Sequence, residues 1–227
     1  MFSNKELRSM IITLFFEQLL VMLVGIVDTF VVSSCGEAAV SGVSLVNQFN
    51  TIFIYLFTAL ASGGAIVVSQ YIGNKDKERT ILSSSQLLMF SIVFSIILSI
   101  LVLIFNKQLL GLLFGKVESD VMEACVTYLR ISAYSYPALA IYNAGAALYR
   151  SMAKTKVTMY ISFVANIINV VGNIIGVYVL KAGVAGVAYP SLISRVFSAI
   201  FITVLCFNKK WEAYYDSKDI FKFDRKM

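Results

Sequence analysis

Two carboxylates stand where their neighbours imply hydrocarbon. In "EQLLVMLVGIVDTF", residues 17–30, Glu17 and Asp28 are separated by a run dominated by Leu, Val, Met and Ile. In a helix, eleven steps of about 100° return to within about 20° of the start, so both acids share one face, about 16 Å apart along the axis. An acid in such surroundings needs a partner or a proton, and intramembrane acids commonly face a bundle interior or a water-filled ion path. Two plainer roles stay open: Asp28 at the outer head groups, and Glu17 within a structural hydrogen-bond network. A second polar stripe runs through "YISFVANIINVVGNIIG", where Ser162, Asn166, Asn169 and Asn173 fall at i, i+4, i+7 and i+11. Amides on one helical face suit a polar cavity and equally suit helix–helix packing, and Gly172 and Gly176 give the same helix a small-residue face for close approach. A tyrosine-rich segment carries Tyr128, Tyr134, Tyr136, Tyr142 and Tyr149, with Asn143 among them. Tyr128 and Tyr149 fall near the membrane faces, where aromatic belts are ordinary. Tyr134, Tyr136 and Tyr142 remain as rings that pack or line a cavity for aromatic or cationic guests.

The elements that position these groups follow from composition. The 227 residues are 59% hydrophobic and 14% charged, with mean hydropathy +0.81, against about a quarter charged in a soluble domain. The apolar residues lie in long runs, the pattern of membrane spans. The first run, from about Met10 to Val32, is too long for a cleavable signal. Cys35, Cys125 and Cys206 are scattered and there is no histidine, so no metal site and no histidine acid–base chemistry are expected, and each cysteine reads as a small apolar filler.

Six spans are expected: 9–34, 42–71, 80–105, 123–149, 157–180 and 183–207. Together they form an all-α transmembrane unit over 1–207, followed by a basic tail over 208–227. "KQLLGLLFG" in the third connection suits the membrane interface, and Asp120 with Glu123 reads as a capping start for helix 4. Pro137 and Pro190, inside spans 4 and 6, each remove a helical hydrogen bond and invite a kink. Of 19 Lys and Arg, 14 fall on the side of the N-terminus, including Lys5, Arg8, the 2–3 and 4–5 loops and the tail. Lys107, Lys116 and Lys181 fall opposite, and Arg130 and Arg195 lie within spans. Both termini are therefore expected in the cytoplasm. The net charge of +6 reports topology and anionic lipid rather than nucleic acid. Arg195 can reach an acid or extend toward the interface.

Five segments resemble, in order, the multidrug and toxic compound extrusion (MATE) transporters. "GIVDTFVVSSCGEAAVSGVSLVNQ" (25–48) resembles their helix 1–2 region, and "GGAIVVSQYIGNKD" (63–76) the end of helix 2 with the first cytoplasmic loop. "YLRISAYSYPALAIYNAGAALYRSM" (128–152) is similar to their helix 4, "NIINVVGN" (166–173) to helix 5, and "AGVAGVAYPSLISR" (182–195) to the entry of helix 6. The resemblance implies a plasma-membrane antiporter, not an enzyme, exporting organic cations or drugs in exchange for H⁺ or Na⁺, with no other cofactor. Asp28 matches the coupling-ion acid of the Asp-Thr motif, with Na⁺ near it where sodium is the coupling ion, and Glu17 is placed to assist. Asn169 matches the helix 5 asparagine. Asn166, Asn173, Gln48, Tyr134, Tyr142 and Asn143 are expected around the cavity. The sequence departs from the family pattern at Asn173, where several relatives have an acid, at "RSMAKTK", and at Thr13, where a proline is usual. Coupling would then rest on helix 1. The family has twelve helices in two lobes, so this chain reads as the N-terminal lobe. A second six-helix lobe would come from a missing C-terminal half or from a homodimer. A flippase of lipid-linked saccharides and a non-transporting fragment or assembly partner are the rival readings.

Overall fold

The computed structural model describes residues 4–220 except for the side chains of Lys5 and Glu6. The expected charges of Lys5, Lys222, Arg225 and Lys226, and the end of the 208–227 tail, lie outside the described residues. Among the described residues, seven α-helices follow one another: α1 (Asn4–Ser33), α2 (Glu37–Gly73), α3 (Lys77–Phe114), α4 (Ser119–Tyr134), α5 (Tyr136–Ser151), α6 (Thr155–Ile174) and α7 (Ala185–Cys206). A π-helical turn, Ile175–Val179, extends α6. Five of these elements, α1, α2, α3, α6 with its π turn, and α7, are long and apolar enough to cross a membrane. α4 and α5, of 16 residues each, stand in tandem where a single span over 123–149 is expected.

Pro137 explains the interruption between α4 and α5, whereas α7 continues unbroken through Pro190. Pro137 has no N–H to offer the Ala133 carbonyl four residues back, and the helix breaks at Ser135. Ser99 on α3 supplies the missing donor, its Oγ bonding the Ala133 carbonyl at 2.7 Å. Pro190 likewise withdraws the donor from the Gly186 carbonyl inside α7. That backbone packs directly on Gly176, so a Cβ on either glycine would meet the other's main chain. A Cβ on Gly172 would stand 2.7 Å from the Pro190 Cβ. The glycine face of α6 is thus spent on α7. α3 bends at Phe105 (φ −102°, ψ 19°) and continues as helix through "KQLLGLLF". The expected cap at Asp120 does not form. α4 begins one residue earlier, and Asp120, inside the first turn, accepts a 3.1 Å bond from Ser119 Oγ.

Two apolar clusters fill the two ends of the bundle. One joins Val32, Phe53, Phe57, Leu110 and Leu129; the other joins Val68, Leu88, Leu148, Tyr149, Ile202 and Tyr215. Hydrophobic side chains elsewhere point outward, among them Ile11, Phe30, Ile104, Leu112 and Val204, as a hydrocarbon-facing belt requires. α1 is the least enclosed span, with 11% of its apolar window buried, and it leans mainly on α6. The two acids and the asparagine stripe meet along that seam.

Candidate functional site

Both acids of α1 face the polar stripe of α6, at different heights. Glu17 is buried, with Thr158 Oγ1 at 3.2 Å, Ser162 Oγ at 3.3 Å and the Tyr142 hydroxyl at 3.4 Å around its carboxyl oxygens. Tyr142 and Ser162 are 2.7 Å apart, so one of them donates to the other, which in turn donates to Glu17. Farther along, the Asn173 amide donates to Asp28 Oδ1 and, at 3.2 Å, to Asn169 Oδ1. Asn169 in turn donates to Ser191 Oγ on α7 at 2.9 Å. One chain of bonds therefore runs from α1 through α6 to α7.

Between these groups lies a cavity of about 270 Å³. α1 gives it Val21, Val24 and Asp28; α5 gives Leu139 and Tyr142; α6 gives Ser162, Ala165, Asn166 and Asn169. Ser191, Ser194, Arg195 and Ser198 close it from α7, and Ile54 from α2. Arg195 donates to Ser135 Oγ at the α4–α5 break, at 2.6 Å, and its charge acts on Asp28. The two formal charges on the wall are of opposite sign. Two amide atoms are buried without a partner among the described residues, Asn166 Nδ2 and Asn173 Oδ1. Asn166 lines the cavity, where a guest or water would satisfy its amide, whereas Asn173 lies behind the wall.

Not every expected side chain lines this cavity. Tyr134 is 62% exposed on the outside of the bundle, because the break at Ser135 interrupts the helical phase that links it to Tyr142. Gln48 is exposed: α2 turns Val46, Phe49, Asn50 and Phe53 inward, and Gln48 lies on another face. Asn143 is buried, but its amide turns back onto the Leu139 carbonyl at 3.1 Å, a quarter-turn away from Tyr142. Tyr136 is fully buried and stacks on Phe53 at 4.8 Å, its hydroxyl donating to Asn50 Oδ1 at 2.7 Å. Arg130 is exposed. The serines of α7 and Thr158 escape the sequence reading, although Ser191, Ser194 and Ser198, at i, i+3 and i+7 around Arg195, carry the same periodic signal as the asparagines.

A model of the MatE family matches residues 13–175. The uncharacterized transporter YisQ of Bacillus subtilis is 27% identical over 212 residues, taking in 92% of this chain and 46% of that protein. The probable multidrug resistance protein YoeA of the same organism is 26% identical over 197 residues, 83% of this chain and 42% of that one. A crystal structure of MATE in the bent conformation superposes with TM-score 0.89 at 22% identity, covering 98% of this chain and 49% of the other, and so shares its fold. The chain spans about half the length of the relatives it matches.

Proposed function

From the premise that this chain belongs to the MatE family of transporters, we propose that it forms one lobe of a secondary antiporter exporting organic cations or drugs in exchange for H⁺ or Na⁺. The observation that carries this reading is Asp28, a carboxylate on the wall of a polar cavity, carried by the least enclosed span and held by an amide of α6. A proton or a bare cation taken up there would compete directly with the Asn173 bond, so ion binding and the seating of α1 become one event. For Na⁺, the oxygen at hand is the Asp28 carboxylate; Asn173 presents its Nδ2 there and would have to turn its amide over to offer Oδ1. Glu17 acts from the other half of the same seam.

The working transporter adds a second six-helix lobe, from the remainder of a longer chain or from another copy, since alternating access rocks one half against the other. Six crossings follow if the tandem α4–α5 pair counts as one. The excess of Lys and Arg puts both termini in the cytoplasm of a plasma-membrane protein. A lipid-linked saccharide flippase would need several basic groups for a pyrophosphate; this cavity offers Arg195 alone, beside Asp28. In the complete transporter, reconstituted in vesicles, Asp28→Asn is expected to abolish ion-driven export of a fluorescent cation while the protein still inserts and folds. Export at the unmodified rate by the Asn variant would overturn the proposal.

A further inference from the structure

A second hollow, of about 440 Å³, lies at the cation-rich end of the bundle, apart from the polar cavity. It opens between the α2–α3 turn and the tail that follows α7. Lys75, Lys77, Lys209 and Lys210 line it, together with Glu212 and the apolar or aromatic faces of Tyr71, Ile72 and Trp211. Lys209 lies 3.8 Å from Asp216. Lys75, Lys77 and Lys210 make no ion pair among the described residues. The charge bias that orients a membrane protein accounts for lysines at this end. It does not account for a walled pocket.

The wall is built rather than incidental. The tail folds back on the bundle: the Tyr215 N–H bonds the Cys206 carbonyl at 2.8 Å, and the Asp216 N–H bonds Ser85 Oγ on α3 at 3.0 Å. Ala213 and Tyr215 are buried in the second apolar cluster. The Trp211 ring is clamped between Lys154, whose Nζ stands 3.5 Å from its centroid, and Tyr149, edge-on at 6.2 Å. A fixed indole, a tyrosine from the last turn of α2 and three lysines without acidic partners among the described residues surround one space at the edge of a membrane span.

We propose that this pocket binds the phosphate head group of an anionic phospholipid from the adjacent leaflet. The lysines supply charge and donors for a phosphate, and basic pockets beside spanning helices are suited to anionic lipid head groups. Tyr71, Ile72 and Trp211 give the glycerol and the first acyl carbons an apolar surface, which a free phosphate ion would leave unused. Glu212 opposes any anion, so Glu212→Gln should tighten binding.

Trp211 is the single tryptophan of the sequence and reports its own pocket. With the full chain in mixed micelles, brominated phosphatidylglycerol is expected to quench Trp211 at mole fractions where brominated phosphatidylcholine does not. Each lysine replaced by glutamine should weaken that preference about fivefold, the equivalent of ~1 kcal/mol per charge, and Lys75→Gln/Lys77→Gln/Lys210→Gln should remove it. The matching triple arginine variant should keep it, which separates lost binding from lost folding. Arg8→Gln/Lys156→Gln/Lys218→Gln takes the same charge from the same end outside the pocket and should keep it as well. The proposal is overturned by equal quenching from both lipids, by a preference that survives the lysine-to-glutamine triple, or by loss of preference in the outside triple. Relief of the quenching by millimolar inorganic phosphate would overturn it in favour of a free-anion site.

Discussion

Removing the amide of Asn173 tests whether its contact with Asp28 carries energy or only proximity. Asn173 is fully buried, and its Nδ2 serves two acceptors, Asp28 Oδ1 and Asn169 Oδ1, while its Oδ1 has none. A hydrogen bond to a charged group contributes about 1.5–3 kcal/mol in water-soluble proteins. Polar pairs inside a bilayer average nearer 0.6 and reach about 1.7 kcal/mol, because the unfolded chain in the membrane also finds partners. Asp28 is half-buried on a cavity wall, where water competes for it. The coupling is therefore expected at about 1–2 kcal/mol, toward the top of the membrane range. Asn173→Ala alone does not measure it: the substitution also drops the bond to Asn169, relieves the unpartnered Oδ1 and leaves a small void. A double-mutant cycle with Asp28→Ala cancels those side effects. The assay is reversible unfolding of the chain from mixed micelles by sodium dodecyl sulfate, followed by far-ultraviolet circular dichroism. Additivity of the two substitutions within about 0.5 kcal/mol would refute the reasoning, because the pair would then sit together without holding together.

Two further outcomes are expected in the same assay. Ser99→Ala should cost about 1–2 kcal/mol by stranding the Ala133 carbonyl, and clearly less in a Pro137→Ala background, where residue 137 regains an N–H for that carbonyl; an equal cost in both backgrounds would detach Ser99 from the break. Gly176→Ala should cost about 1–3 kcal/mol or more, since its Cβ meets the rigid Gly186 backbone, whereas Gly63→Ala, with nothing within 4 Å, should be neutral or gain up to about 1 kcal/mol; matching shifts would deny that close packing is what Gly176 provides.

Where one uninterrupted helix carried the signal, the geometry of the candidate site was legible in the sequence. The spacing of Glu17 and Asp28 puts both acids against α6, and the spacing of Ser162, Asn166 and Asn169 puts all three on one cavity wall, with Asn173 behind them against Asp28. A period of 3.6 persists along an unbroken helix, so the face follows from counting. Counting fails across a break. Tyr134 and Tyr142 lie on two helices separated at Ser135, and their relative direction depends on a backbone angle that no periodicity encodes. Gln48 fails for another reason: the aromatic residues Phe49 and Phe53 choose the inward face of α2, and an adjacent amide goes wherever that choice leaves it. The docking of the tail on Ser85, Tyr149 and Lys154 joins residues far apart in the chain, and only the folded bundle reveals it.

The seam between α1 and α6 gives those polar contacts a consequence that their number would not suggest. In water, the apolar face of α1 would press it against the bundle; in hydrocarbon, lipid tails suit Leu, Val and Phe as well as α6 does. Apolar burial holds α1 mainly at its end, through Val31 and Val32, and little of the rest of the helix is buried. What distinguishes one register from its neighbours is a pair of polar attachments: Glu17 to Thr158, Ser162 and Tyr142, and Asp28 to Asn173. A shift of one helical turn, about 5.4 Å, would break both at once and leave carboxylates and amides facing oil. The attachments differ in kind. Thr158 and the bonded Tyr142–Ser162 pair surround Glu17 in a buried site, whereas one amide holds Asp28 on the wall of a cavity. On the proposed function, the Glu17 end would be the pivot, and the Asp28 end the place where a change of ligand releases the helix.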